Sequence, residues 1–269
     1  MKLTVLVDNN TSVGRYYSGE PGLSYYIEDG EHRILFDTGI TDLFIRNAVA
    51  FGIDLRSVDT VVLSHGHTDH SGGLEFLFES YDCRGKRFVS HPDAVAEKEY
   101  EGNRFGITVS SRYIASACRM VLTKEPMNIS ERIIFLGEIP RYYEFEKSEP
   151  IGTCIREDGI VPDFMLDDSA LVYQGIQGNY IITGCSHSGI CNIIRHAMTV
   201  TGDNRVCGVI GGLHLFEEHE QTRRTIDFFK EHSINELYPC HCTGFFARCA
   251  IHKSIPIHDV TVGAKIDLI

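Results

Sequence analysis

Three histidines and one aspartate stand within six positions of the stretch LSHGHTDHSGG at residues 63–73, namely His65, His67, Asp69 and His70. Four large polar side chains cannot be buried in one turn at low cost unless they have partners. A loop that only caps the following helix needs one such side chain. A bound metal explains both the number and the spacing, because imidazole nitrogen and carboxylate oxygen are common ligands of zinc and related metals.

The spacing within this motif favours two metal ions. In an extended loop, His65 and His67 at positions i and i+2 point to the same side and can share one ion. Asp69 and His70, one turn later, then face a second ion about 3.5–4 Å from the first. We therefore predict two divalent ions, with zinc as the expected metal and iron or manganese as alternatives. Asp69 is also predicted to be catalytic.

The rest of the chain predicts an α/β (α+β) protein. Strands and hairpins come first, strands and helices then alternate, and the chain ends in a strand, which suits helices packed against sheets. Residues 1–269 are expected to form a single domain, with an insertion or lid at about 93–150, where the polarity is mixed. Nearly every unusual histidine follows a predicted strand, and open α/β sheets bind ligands at such strand ends.

Several motifs resemble those of the metallo-β-lactamase superfamily. Its HxHxDH signature matches residues 65–70, and Gly72-Gly73 follows as the glycine pair. The stretch ILFDTG is similar to the first superfamily motif, in which Asp37 would hold the histidine motif of residues 65–70 in place without binding the metal itself. The stretch LYPCHCTG is similar to the final motif, with His241 as the last metal ligand. The resemblance covers residues 1–92 and 165–269 and implies a four-layer αββα sandwich.

The chain departs from the superfamily pattern at one position. Most members have a strand ending in Thr-Gly-Asp, and the aspartate bridges two metals. Here the stretch is YIITGCSHSG, so Cys185 takes the place of the aspartate and His187 follows two residues later. We predict His187 as the metal ligand. A thiolate ligand at Cys185 remains the alternative, and a buried inert thiol is the structural reading of the same residue.

Four further residues are candidates for the site. His214 in GGLHL is predicted to be catalytic or to contact substrate, because related members place a histidine nearby, or else it is a packing residue. His91 ends a strand and is either a wall of the site or a structural residue. The helix starting at Ser188 should direct free backbone N–H groups towards an anionic phosphate or carboxylate. Arg141 is predicted to add an anion contact, or else is a surface charge.

Composition excludes some partners and cofactors. A net charge of −12 argues against nucleic-acid binding, which usually needs a basic patch. The longest apolar runs have the length of strands, so no membrane contact is expected. Nine scattered cysteines, an odd number, indicate reduced thiols and a cytoplasmic protein. No glycine-rich loop for a nucleotide cofactor is present. The sequence does not specify an oligomeric state.

Three functions follow as hypotheses. The first is a metal-dependent hydrolase that activates water against a phosphate or carboxylic ester of a small anionic metabolite. The second rests on a narrower resemblance, carried by GLSYYIE, GEIPR, GCSHSGICNI, GGLHL and PCHCTG, to a subfamily that includes an archaeal dihydropterin–ribofuranosylaminobenzene phosphate synthase. It predicts a transferase that condenses a dihydropterin diphosphate with a ribofuranosylaminobenzene phosphate. The third is a metal-binding sensor or scaffold without turnover, suggested by the loss of the bridging aspartate.

Overall fold

The computed structural model describes residues 1–147, 149–156 and 159–269. The helices are α1 (Leu43–Ala50), α2 (Thr68–Ser71), α3 (Leu74–Ser80), α4 (Ser111–Ala117), α5 (Ile190–Thr201), α6 (Glu220–Glu231) and α7 (Phe245–Ser254). The strands are β1 (Lys2–Val7), β2 (Ser24–Asp29), β3 (His32–Phe36), β4 (Thr60–Val62), β5 (Arg87–Ser90), β6 (Glu97–Tyr100), β7 (Asn103–Arg104), β8 (Arg119–Leu122), β9 (Met127–Asn128), β10 (Ile133–Phe135), β11 (Thr153–Arg156), β12 (Gly159–Pro162), β13 (Ala170–Gln174), β14 (Asn179–Thr183), β15 (Val206–Gly211), β16 (Glu236–Pro239) and β17 (Lys265–Asp267).

The chain divides into two compact units. The first unit comprises Met1–Lys124, Pro150–Asp167 and Thr261–Leu268. The second unit comprises Glu125–Glu149, Asp168–Val260 and Ile269. Each unit combines β-sheet with helices, as the predicted mixed α/β class requires. Among the described residues, no helix is both long enough and apolar enough to cross a membrane.

The first unit is built on a seven-stranded sheet with the order β17-β1-β2-β3-β4-β5-β8. The strands from β17 to β3 pair antiparallel, and β3, β4, β5 and β8 pair parallel. All three residues of β4 are buried, as expected for a parallel strand covered on both faces. Phe44 of α1, Leu77 of α3 and Ile114 of α4 pack with Leu35 and Phe88 in one apolar core. This core fixes the end of β4, from which the histidine motif emerges.

The second unit is built on a six-stranded sheet with the order β16-β15-β14-β13-β10-β9. Strands β14, β15 and β16 are parallel, so their carboxyl ends lie at the same edge of the sheet. Ile190, Ile194 and Ala197 of α5 recur at helical spacing and are buried, together with Phe229 of α6 and Ile251 of α7. The loops after these parallel strands carry His187, His214 and His241.

The segment predicted as an insertion or lid at 93–150 contains regular elements. In the first unit, β6 and β7 join β11 and β12 in a four-stranded sheet with the order β12-β11-β6-β7, and β8 joins the seven-stranded sheet. In the second unit, β9 and β10 extend the six-stranded sheet. These strands were not predicted from the sequence, because several have exposed residues on both faces and therefore lack an alternation of apolar and polar residues. A lid function stays a prediction.

Candidate metal centre

Residues 64–71, called here the metal loop, follow β4 and end with the short helix α2. His65 and His70 are fully buried, His67 is 9% exposed, and the side chain of Asp69 is about one third exposed. One ligand atom from each of His65, His67 and Asp69 lies within 4.8 Å of the other two. The first unit therefore brings together two imidazoles and a carboxylate, which is a donor set suited to zinc and its relatives.

One carboxylate orients two of the loop histidines. Asp37 Oδ2 lies 2.7 Å from His70 Nδ1, and it accepts the Ser64 hydroxyl at 2.7 Å. The same Ser64 Oγ lies 2.9 Å from His65 Nδ1. Because a carboxylate only accepts, His70 Nδ1 carries the proton, and His65 Nδ1 must donate to Ser64, whose own proton goes to Asp37. With Nδ1 as the donor, Nε2 is the nitrogen of each ring that would bind a metal. His70 Nε2 lies 3.5 Å from Asp69 Oδ2, so a metal ion bound there would replace a proton between these two groups, and the residues fit the predicted ion.

The Asp37 backbone is held in an unusual conformation by contacts around it. Its φ is 58°, a region that residues other than glycine rarely adopt. Its carbonyl accepts the Ser24 hydroxyl at 2.8 Å, and Thr38 N donates to the His70 carbonyl at 2.8 Å. Backbone strain of this kind often accompanies functional sites.

The same conformation recurs after three strands of the second unit. Ser186, His214 and His241 have φ values of 65°, 49° and 49°, and each lies within three residues of the end of β14, β15 or β16. Each such residue costs free energy that the surrounding structure must supply. His214 and His241 thus share with Asp37 a backbone conformation that is uncommon for residues other than glycine.

Electrostatics differ between two loop histidines. Burial lowers the pKa of His67 to about 3, with a further contribution from the Lys98 charge, so this imidazole is neutral at neutral pH. Neutral imidazole is the form that binds metal. Burial also lowers the pKa of His70, but Asp69 and Asp37 outweigh it and raise that pKa well above the ordinary value. Asp37 and Asp69 thus place two carboxylates beside His70, and a metal cation would neutralise their negative charge.

A buried ion-pair network, which the sequence did not predict, contacts the backbone of the metal loop. Lys98 Nζ lies 2.7 Å from both Asp163 Oδ2 and Asp167 Oδ1, and its side chain is fully buried. The other oxygen of Asp167 accepts Gly66 N at 2.8 Å, between the two ligand histidines. Burial lowers the pKa of Lys98, but the two carboxylates outweigh it and raise that pKa. No short motif marks these residues, because the network joins distant segments of the chain.

Gly66 can take no side chain without displacing its surroundings. A Cβ atom at this position would lie 2.5 Å from the Ala94 carbonyl oxygen. The backbone of the metal loop is thus packed directly against the segment that follows β5. This close approach explains the glycine between His65 and His67.

In the second unit, the structure brings His187 and His214 together. Their ring centroids are 4.2 Å apart, and His214 also contacts Phe216 at 5.0 Å. Cys185 is buried, and its carbonyl accepts the Cys242 thiol at 3.3 Å. A catalytic or ligand role for any of these side chains stays a prediction, with His187 and Cys185 still alternatives.

The loop that carries His241 is fixed to the end of β15. Cys240 N donates to the Gly211 carbonyl at 3.1 Å, and Leu213 N donates to the Thr243 hydroxyl at 3.0 Å. His241 itself is half-buried. The predicted ligand therefore stands on a loop that hydrogen bonds hold on both sides.

The expectation of free N–H groups at the start of α5 is wrong. Ser188 N donates to Asp168 Oδ2 at 2.7 Å, and the Ser188 hydroxyl donates to the Asp168 carbonyl at 3.0 Å. Cys191 N and Asn192 N donate to the Glu146 carboxylate at 2.8 and 2.7 Å. Two carboxylates of the protein thus occupy the place expected for a ligand anion. Sequence reasoning missed both, and a substrate contact by Ser188 stays a prediction.

His91 and Arg141 have protein partners. His91 is fully buried, and its Nδ1 accepts Asp93 N at 3.1 Å, which caps the 3₁₀ turn Pro92–Val95. This contact supports the structural interpretation of His91. Arg141 is half-buried, and its charge acts on Glu146, whose pKa burial raises to about 7. Substrate binding by either residue stays a prediction.

Comparisons with known proteins agree with this geometry. The family model of the metallo-beta-lactamase superfamily matches residues 17–195. A 7,8-dihydropterin-6-methyl-4-(beta-D-ribofuranosyl)-aminobenzene-5'-phosphate synthase of Methanocaldococcus jannaschii is 30% identical over 262 residues, covering 92% of this chain and 89% of the relative. The protein MJ0448 of the same organism is 36% identical over 248 residues and covers 91% of both chains.

Among solved structures, Tm1679, described as a metal-dependent hydrolase of the beta-lactamase superfamily, is similar over 99% of this chain and 98% of its own. The TM-score is 0.84 and the sequence identity is 29%. The resemblance found in the motifs is thereby confirmed, together with the mixed α/β fold class that it implies. The chain belongs to the metallo-β-lactamase superfamily.

Proposed function

We propose that the protein is a metal-dependent hydrolase that cleaves a phosphate or carboxylic ester of a small anionic metabolite. The observation that carries this proposal is the Asp37 network. Its hydrogen bonds engage Nδ1 of His65 and of His70, so Nε2 of each ring is the nitrogen that would bind a metal. When bound, divalent metal supplies Lewis acidity and lowers the pKa of water to near neutrality. The likeness to Tm1679, a metal-dependent hydrolase, supports the same reading.

Five of the ligands are assigned from the superfamily pattern, residue by residue, and His187 is proposed in place of the bridging aspartate of that pattern. Two ions are proposed, zinc being the expected metal, and the ligands are His65, His67, Asp69, His70, His187 and His241. The Asp69 carboxylate, partly open to solvent, would accept a proton from the attacking water. An imidazole nitrogen of His214 would give a proton to the leaving oxygen, with the neighbouring His187 ring holding it in place.

Reconstitution tests the hydrolase directly. Metal-free protein loaded with zinc, manganese or iron should cleave some members of a panel of model phosphodiesters and lactones. His67→Ala should abolish this turnover, whereas His252→Ala, an exposed histidine on α7, should leave it unchanged. Metal binding without turnover on the whole panel would instead favour the sensor or scaffold.

The synthase relative gives a specific reason for a second candidate, a transferase. This reaction would join a dihydropterin diphosphate to a ribofuranosylaminobenzene phosphate with loss of diphosphate, so no water would need activation. Incubation of the metal-loaded protein with both substrates should then yield a condensed pterin detectable by mass spectrometry. Absence of that product, alongside hydrolysis of model esters, would leave the hydrolase.

A further inference from the structure

A cavity of about 850 Å³ lies within the first unit, outside the predicted metal ligands. The residues that line it belong to four segments of the chain, 92–98, 104–111, 120–122 and 155–156, although residues 94, 105 and 121 do not face it. Ligand sites for small molecules usually have volumes of roughly 300–1,000 Å³, so the cavity has the size of a metabolite site. No motif in the sequence pointed to it.

One side of the cavity is apolar. Val95, Ile107, Met120, Leu122 and Ile155 line it, and all five are half-buried. Partial burial in this position leaves apolar surface facing the cavity, and covering that surface with an apolar group is favourable. A ring or an acyl chain is the kind of group that this wall would bind.

The polar side presents guanidinium groups. Arg156 pairs with Asp93 at 2.5 Å, and the arginine side chain is 33% exposed whereas the aspartate is 14% exposed. Arg104 pairs with Glu97 at 3.0 Å, with exposures of 80% and 52%. In both pairs the cation is the more accessible partner. A guanidinium has five N–H donors, so each can bind an anion as well as its carboxylate partner.

The remaining cation of the lining, Lys98, does not contribute in this way. Its ammonium group is directed to Asp163 and Asp167 at 2.7 Å each, which neutralises its charge. The cavity wall is nonetheless joined to the metal loop, because the Thr68 hydroxyl donates to the carbonyl of the lining residue Gly106 at 2.8 Å. A ligand here would therefore lie close to the metal loop, in a cavity whose lining includes none of the predicted metal ligands.

We propose that this cavity binds a small amphipathic anion, with a carboxylate or phosphate on Arg156 and Arg104 and an apolar body against the wall around Ile107 and Met120. The proposal does not rest on the hydrolase activity. An arylalkyl acid and a fatty acid share this chemistry, and the experiment distinguishes them. The chain has a net charge of −12, so anion binding at this place would reflect local recognition and not general attraction.

The absence of tryptophan from the chain allows a site-specific fluorescent reporter. Thr108→Trp places one at an exposed position of the cavity lining, and Ser116→Trp places the matched control on the exposed face of α4. Metal-free protein would be titrated with 4-phenylbutyrate, with decanoate and with the neutral 4-phenylbutanol. A tryptophan at position 108 could itself fill the cavity and block the probes. The melting temperature of the protein without this substitution is therefore measured with the same probes.

We expect an acid probe to change the fluorescence of the Thr108→Trp protein but not of the Ser116→Trp protein, and to raise the melting temperature. The acid with the lower dissociation constant identifies the apolar body. Arg156→Ala should weaken binding about tenfold or more, because it removes a charge-assisted contact. Arg84→Ala, which removes an arginine paired with Asp82 on the surface of the same unit, should not. Equal binding of 4-phenylbutanol, equal effects of the two arginine variants, or no binding of either acid by about 10 mM would overturn the proposal.

Discussion

Asp37 Oδ2 lies 2.7 Å from His70 Nδ1, and both side chains are fully buried. Through Ser64 the same carboxylate also reaches His65, so one residue outside the metal loop fixes the orientation of two predicted ligands. Partners of this kind commonly contribute about 10–100-fold to metal affinity.

Asp37→Asn should therefore weaken metal binding by about 10–100-fold without removing any ligand, because the amide keeps the shape but lacks the charge. Competition with a chromophoric chelator would measure the dissociation constant. Asp42→Asn is the control, since Asp42 is an exposed carboxylate of the same unit that pairs with the exposed Arg46. Unchanged affinity in the Asp37 variant would show that the carboxylate does not orient the ligands.

The choice between His187 and Cys185 can be decided by metal content. His187→Ala should lower the occupancy of at least one metal, because residue 187 lies on the loop beyond β14. Cys185→Ser should leave the metal count nearly unchanged, since serine is similar in size and the thiol is predicted not to bind. Elemental analysis of both variants gives the answer. Loss of metal with the serine variant alone would assign a thiolate ligand.

The network behind the metal loop predicts a stability effect. Asp167→Asn leaves Lys98 buried with one fewer anion and weakens the hydrogen bond from Gly66 N. Breaking a buried ion pair typically costs about 3–5 kcal/mol, so the free energy of unfolding should fall by about 3 kcal/mol. Urea denaturation of the metal-free protein measures it. Asp54→Asn, which breaks a surface pair with Arg56, should leave the midpoint unchanged, and similar midpoints for the two variants would refute the role of the network.

Glu146 predicts a pH dependence of stability. Burial raises its pKa from 4.5 to about 7, although N–H groups of Cys191 and Asn192 and the Arg141 charge act in the opposite direction. The unfolded chain loses this proton more readily, so the stabilisation is complete below pH 4.5 and declines as the pH rises through about 7. Between pH 4.5 and 8, the free energy of unfolding of the unchanged protein should fall by up to about 3 kcal/mol relative to that of the Glu146→Gln variant.

Urea denaturation across this pH range would measure the effect of Glu146. Glu144→Gln is the matched control, because Glu144 is exposed and lies with Glu146 on the 3₁₀ turn Glu144–Glu146. A plot of its free energy of unfolding against pH should run parallel to the plot for the unchanged protein. If the Glu146→Gln curve is also parallel, the carboxyl group does not titrate in the way that its burial predicts.

Regular elements with strong apolar patterns were predictable from the sequence. The alternation or continuous burial of β1 to β5 and β13 to β16, and the helical spacing in α1, α5 and α6, are visible along the chain. Helix α7 was not predicted. Its largest apolar side chains, Phe245 and Phe246, are exposed while Ala247, Ala250 and Ile251 are buried, so its apolar residues do not mark the buried face.

By itself, the sequence determined the metal loop, because a metal site on one turn depends on ligand types and local spacing. The residues that hydrogen-bond to the metal loop come from distant parts of the chain, and strand pairing brings them to it. Asp37 reaches His70 across 33 positions and Asp167 reaches Gly66 across 101 positions. The same holds for Glu146, whose carboxylate accepts a hydrogen bond from Cys191 N of α5, 45 positions away. Only the tertiary structure decided these partners, since a hydrogen bond between distant segments leaves no period or spacing in the chain.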